Sequence, residues 1–139
     1  METLASTLMA GSAGIILTLG LLHLFYTFRG RKLHPRDDAL KERMKEVSPF
    51  ITRETTMWKT WIGFNASHSC SAILFGLIYG YFALGHSVFL FQAPFLLVVG
   101  LLFLTGYVFL SKAYWFSIPF RGIVLSTALY VGALIANWA

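Results

Sequence analysis

The sequence predicts an all-α integral membrane protein, folded as an up-and-down bundle of four transmembrane helices with a cytoplasmic amphipathic helix in its first loop. Three observations carry that reading. The 139-residue chain is 57% hydrophobic and 12% charged, with a mean hydropathy of +0.68. Its apolar residues gather into four segments, about 3–28, 61–84, 88–111 and 119–138, each near the roughly 20 residues needed to cross a ~30 Å hydrocarbon core. The cations gather elsewhere, nine of the 11 Lys and Arg residues lying between Arg29 and Lys59. Membrane strands are about half as long as these segments and alternate in polarity, so length decides for helix. The whole chain, 1–139, is short enough for one domain.

The charge distribution also orients the bundle. The two remaining cations, Lys112 and Arg121, fall on the same side as the 29–60 loop when four helices alternate, whereas Gly85, His86 and Ser87 and both ends of the chain carry none. Positive charge collects on the cytoplasmic side, so the loop is expected in the cytoplasm and both termini outside, in a bacterial-type inner (plasma) membrane. Lipid headgroups then account for the net charge of +5, and no nucleic-acid partner is implied. The first segment lacks a basic n-region and runs about 26 residues, so it reads as a span and not as a cleaved signal. A single cysteine, Cys70, excludes an intramolecular disulfide and dithiol chemistry.

Each element has its own justification. In the first segment Thr7, Gly11, Gly14 and Thr18 share a face on which helix backbones can approach closely, and Ser12, His23 and Thr27 lie on roughly the opposite face. In the loop, Asp37 and Asp38 suit a helix N-terminus, and Leu40, Met44 and Val47 recur at amphipathic spacing among charges, with Pro49 beyond. Thr52 is expected to cap the second span, with Glu54 in its first turn and Trp58, Lys59 and Trp61 at the interface. Gly85, His86 and Ser87 join spans two and three as a hairpin, and the third carries Pro94 near its outer start. Ser117 and Pro119 open the fourth span, where Lys112 and Arg121 meet the cytoplasmic headgroups.

The stretch "WIGFNASHSCSAILFG", 61–76, is the polar anomaly. At 100° per residue, Asn65, His68, Ser69, Ala72, Gly76, Gly80 and Ala83 fall on one face, with Ser67, Ser71, Leu74, Ile78 and Tyr81 on the other. Small residues at Ala72, Gly76 and Gly80 allow close helix contact, and Asn65 and His68 can hydrogen-bond beside them. The serines can donate to carbonyls of their own helix. Ionisable residues in a span are often functional, so His23, Asn65, His68 and Ser69 are the candidate ligand-binding residues, His23 and His68 lying at comparable depth. Paired imidazoles could ligate a haem iron, hydrogen-bond a quinone or pass a proton, but no motif requires a cofactor and none is predicted. The spans hold no set of carboxylates, so no metal site is expected, and no complete catalytic set is visible.

This layout resembles the MAPEG family of small four-helix membrane enzymes, over most of the chain and more in topology than in residues. His34-Pro35-Arg36-Asp37 stands where that family often has an Asn-Pro-x-Asp-like element, and Pro119-Phe120-Arg121 matches a Pro-x-Arg opening the fourth helix. With Asn65 in the family's asparagine position, its glutamate position is His68 and its two arginine positions are Trp61 and Trp58. Those arginines are the bidentate donors that glutathione binding needs. The resemblance therefore implies a MAPEG-like membrane enzyme or a binder of a lipophilic ligand, glutathione-linked in that family, with its pocket near His23, Asn65 and His68. Gly63-Phe64-Asn65 to His68 also resembles uncharacterised bacterial four-helix membrane proteins, which implies no activity.

The leading expectation is an interaction or accessory subunit that packs through small-residue faces, Gly11 and Gly14 on helix one and Ala72, Gly76 and Gly80 on helix two. Its partners would be the lipid bilayer and either a homo-oligomer or a larger membrane complex. The MAPEG-like enzyme or ligand binder is the alternative, and haem or quinone binding between helices one and two the second alternative.

Overall fold

The structure, a computed structural model, describes residues 2–138. These residues form six helices: α1 (Glu2–Phe28), α2 (Asp38–Glu46), α3 (Met57–Gly85), α4 (Ser87–Phe91), α5 (Pro94–Tyr114) and α6 (Ser117–Trp138). No strand occurs among the described residues. Four of the helices, α1, α3, α5 and α6, are long and apolar enough to cross a membrane. They leave Leu74, Leu84, Phe95, Leu102 and Phe109 exposed, a surface suited to lipid and not to water.

Local chemistry sets the boundaries. α1 ends at Phe28, and two residues on Gly30 has a φ of 79°, the left-handed conformation that commonly follows a helix C-terminus. α2 is capped by Asp37, whose carboxylate accepts the Ala39 N–H at 2.9 Å, with Asp38 in the first turn. None of its residues is buried within the chain. α3 begins four residues before the predicted 61. Thr56 serves at its start, its hydroxyl accepting the Lys59 N–H, while Thr52 accepts only the Glu54 N–H of a turn outside the helix. The predicted 88–111 span is two helices, not one. Pro94 has no N–H to continue a helix and holds Ala93 at φ −106°, ψ 81°, so α4 ends and α5 starts afresh with Pro94 in its first turn. α5 then continues to Tyr114.

The chain folds as two compact units, one comprising 1–19 with 72–139 and the other 20–71. The first has the larger core. Met9, Ala13 and Ile16 of α1, Phe75 and Tyr79 of α3, Leu104 of α5, and Ile123, Tyr130 and Ala133 of α6 are all buried. Its rings form a run of contacts: Tyr130 to Tyr79 (centroids 5.8 Å), Tyr79 to Phe75 (4.4 Å), Phe75 to Phe103 (4.7 Å) and Phe103 to Tyr107 (4.2 Å). Such pairs add about 0.5–1.5 kcal/mol each beyond their burial.

Two close approaches organise this core. A methyl group at Gly100 would come within 2.7 Å of the Tyr79 ring and closer still to the Tyr130 hydroxyl, so only glycine admits both tyrosines. Tyr79 and Tyr130 donate to the carbonyls of Leu96 and Leu97, at 2.6 and 2.9 Å. Across α1 and α6, the Ser126 hydroxyl donates to the Ser12 carbonyl at 2.9 Å, which leaves the Ser12 hydroxyl to donate in the 2.9 Å contact between their oxygens. Both serines are fully buried and both are satisfied.

In the 20–71 unit, loop residues dock on the start of α3. The Trp61 indole N–H donates to the Leu33 carbonyl at 2.9 Å. His34 meets the Trp58 ring edge-on at 5.0 Å between centroids, and the Lys41 ammonium lies 5.3 Å from the same ring.

Candidate functional site

The polar residues predicted on one face of the second span take that face in the structure. Ser69 and Ala72 are buried, Asn65 and His68 partly so, while Ser67, Ser71, Leu74, Ile78 and Tyr81 are exposed. The serine hydroxyls turn back onto their own helix, Ser67 to Phe64, Ser69 to Asn65 and Ser71 to His68, at 3.0, 2.9 and 2.7 Å. That consumes the Ser69 donor and makes Ser69 a support of the site.

Within the 20–71 unit, α1 supplies His23 and α3 supplies Asn65 and His68. The Asn65 amide nitrogen donates to the Trp61 carbonyl at 2.8 Å, which turns its oxygen outward. That oxygen lies 3.0 Å from Nε2 of His23. An amide oxygen only accepts, so Nε2 of His23 carries the proton and donates. His23 is therefore held as the Nε2–H tautomer or the imidazolium. Its ring meets His68 edge-on, with centroids 5.2 Å apart and planes at 85°. One turn on, the Thr27 hydroxyl donates to the His23 carbonyl at 2.8 Å. Spacing along the sequence places the two histidines at similar depth; the packing of α1 on α3 brings their rings into contact.

Chemically this is a small hydrogen-bonded cluster with two imidazoles. It can accept or donate a proton, and it can hydrogen-bond a carbonyl or hydroxyl that displaces Asn65 from His23. The His23 and His68 rings are in edge contact, and Nε2 of His23 is engaged by Asn65. No group of three or more His, Cys, Asp or Glu suited to a metal ion occurs among the described residues.

The positions that would carry glutathione-binding arginines have other work: Trp58 packs with His34 and Lys41, and Trp61 bonds to Leu33. His34 is the one ionisable side chain here that lies outside the spans and has a shifted pKa. Desolvation lowers it first and the charges of Lys41 and Arg31 lower it further, with Asp38 opposing them. Its Nδ1 is buried without a hydrogen-bond partner. Lys59 and Arg121 are exposed, and Lys112 in the last turn of α5 lies 5.3 Å from the Phe120 ring.

The small residues divide. Gly76 packs tightly within its unit, since an added methyl would come within 2.9 Å of the Ala13 carbonyl and Leu17. Ala72 is buried, and a methyl at Gly80 would touch Ala13 at 3.8 Å. Gly11 and Gly14 are exposed. A methyl at Gly11 would reach Leu129 at 3.4 Å, and one at Gly14 would meet nothing within 4 Å. With Ile15, Thr18 and Leu19 they line a shallow open groove of about 430 Å³.

Sequence reasoning missed Gly100, Tyr79, Tyr130 and Ser126. A signal was present for the α6 pair, since Ser126, Tyr130 and Ala133 repeat at i, i+4 and i+7 and are all buried. No family model matches the chain, and no curated protein or solved structure matches it.

Proposed function

We propose that this chain is a multi-pass inner-membrane protein, with the 29–60 loop cytoplasmic, that acts as an interaction or accessory subunit by packing against other membrane helices. The exposed groove at Gly11, Gly14 and Thr18 carries the reading. Between helices in lipid there is no hydrophobic drive, so association depends on close packing, and small residues permit it. A groove that a lipid tail fills poorly and a second helix fills well favours assembly. The first partner to test is a second copy of this chain.

The test is native mass spectrometry from mild detergent, comparing wild type with Gly14→Leu. Leucine enters open space, so the fold is expected to survive. Loss of about 1.4 kcal/mol of packing would lower the association constant about tenfold. An assembly that Gly14→Leu leaves unchanged would refute this use of the groove.

The contact between His23 and His68 favours a second reading, a MAPEG-like binder of a lipophilic ligand with a carbonyl or hydroxyl that meets Asn65 and the imidazoles. Here His68→Ala removes a co-purifying ligand mass while the oligomer survives. Under the accessory reading the same substitution weakens assembly and no ligand mass is present to lose.

A further inference from the structure

Residues 48–56 form a closed loop. The Met57 N–H donates to the Val47 carbonyl at 2.8 Å, tying the end of α2 to the start of α3, and the Thr52 N–H bonds back to the Pro49 carbonyl at 3.3 Å. A loop pinned at its neck presents its tip in a set conformation. That tip is Phe50 and Ile51. Both are essentially fully exposed, Ile51 at 92%, and no other large apolar side chain among the described residues is as open. Exposed apolar residues on the long helices have lipid to face; these two lie outside every helix.

The charge around the tip identifies what covers it. The 20–71 unit holds nine Lys and Arg against five carboxylates, a net charge of +4 with histidines neutral. Arg31, Arg43 and Lys45 are engaged by Asp38, Glu46 and Glu42. Arg53, two residues after Ile51, and Lys59 are exposed and form no ion pair among the described residues. Exposed apolar side chains on a net-basic unit, with Arg53 two residues away and Glu54 next to it, complement the boundary between anionic headgroups and acyl chains. The reach is sufficient: Ile51 precedes the first residue of α3, a candidate span, by six residues, at most about 20 Å of extended chain. Because the loop is tethered to a span, insertion is an intramolecular step.

We infer that Phe50 and Ile51 form an interfacial wedge that inserts into an anionic leaflet beside the protein, with Arg53 and Lys59 on the lipid phosphates. This rests on α1, α3, α5 and α6 crossing the bilayer. Cys70 is the one cysteine and is exposed, so Cys70→Ser gives a clean background for single labelling sites. An environment-sensitive fluorophore is placed at Ile51→Cys, at Phe50→Cys as a second tip site, at Ala39→Cys as an exposed control on α2, and at Leu74→Cys as a mid-span control. The full-length protein is reconstituted in nanodiscs of phosphatidylcholine with roughly one quarter phosphatidylglycerol, which leave both membrane faces open to quencher.

The wedge predicts that both tip labels are quenched by spin-labelled lipid and are at least about threefold less accessible to aqueous iodide than Ala39→Cys, with shielding falling by about half in pure phosphatidylcholine. Tip labels as open to iodide as Ala39→Cys overturn the proposal. Shielding from iodide without lipid quenching also overturns it, because the tip then sits in a protein contact. Equal shielding in both lipids overturns the role of Arg53 and Lys59. If Leu74→Cys itself escapes lipid quenching, the spanning reading has failed, a result distinguishable from failure of the wedge alone.

Discussion

The two units of the chain differ in the polar contacts they make between helices. In the unit built from 1–19 and 72–139, hydroxyls end on backbone carbonyls: Tyr79 on Leu96, Tyr130 on Leu97 and Ser126 on Ser12. Those acceptors cannot turn away, and the aromatic rings pack on one another around them. In the 20–71 unit the buried Thr27 and Ser69 hydroxyls donate to carbonyls of their own helices, while between helices His23 bonds instead to the side chain of Asn65 and both stay only partly buried. Such a network can rearrange, because an imidazole can change tautomer or take a proton and a side-chain amide can rotate. The first arrangement provides a rigid packed core. The second provides groups able to respond to a ligand or a neighbouring helix.

This contrast can be broken most forcefully at Gly100. Gly100→Ala places a methyl group where the Tyr79 and Tyr130 rings already sit, and overpacking of this kind costs about 1–3 kcal/mol. The thermal midpoint in detergent should fall clearly. Adding Tyr130→Phe removes the atom nearest the new methyl, so the double variant should be more stable than the sum of the single losses. Strict additivity would mean that the tyrosine hydroxyl is not what Gly100 accommodates.

A smaller effect is expected in the histidine cluster. Asn65→Ala removes the acceptor of the His23 N–H, and interhelical polar contacts in membranes average about 0.6 kcal/mol. A double-mutant cycle of His23→Ala with Asn65→Ala, followed by unfolding, should give a coupling of that order. Coupling above about 2 kcal/mol would place this pair with the rigid core and remove the distinction drawn between the units.

The smallest effect is a pH dependence at His34. Its pKa is lowered, so the folded loop favours the neutral ring; the stabilisation is present above the ordinary value of 6.5 and is lost as pH falls below it through the folded value. The indole N–H resonance of Trp58, whose ring His34 contacts, should shift with a midpoint below 6.5, and His34→Phe should abolish that shift while keeping the ring contact. A midpoint above 6.5 would contradict the desolvated, cation-flanked setting.

Legibility from the sequence followed the kind of information each feature needs. The face shared by Asn65, His68, Ser69 and Ala72 could be read because helical periodicity is local, and the back-bonding serines because their acceptors lie three or four residues away. The start of α3 is ambiguous in the sequence because Thr52 and Thr56 both carry a capping hydroxyl, and only the course of the backbone decides between them. Pro94 is plain in the sequence, but the break it makes between α4 and α5 is not. A proline near a helix start is compatible with continuation from an earlier turn or with a fresh beginning, and the extended Ala93 decides for the latter. Gly11 and Gly14 looked equivalent to Gly76, but burial separates them, since helix contact depends on which face meets a neighbour.

Composition, segment length and the clustering of cations determined the helical class, the four long apolar helices and the basic loop. Each is a sum over many residues or a pattern within a few turns, and neither requires knowledge of what lies across the core. Tertiary structure alone decided the contact of His23 with His68, the tautomer that Asn65 imposes, the space that Gly100 leaves for two tyrosines and the exposure of Phe50 and Ile51. These join or separate residues far apart in the chain, such as Gly100 and Tyr130 or His23 and Asn65, and whether they touch depends on how the helices pack.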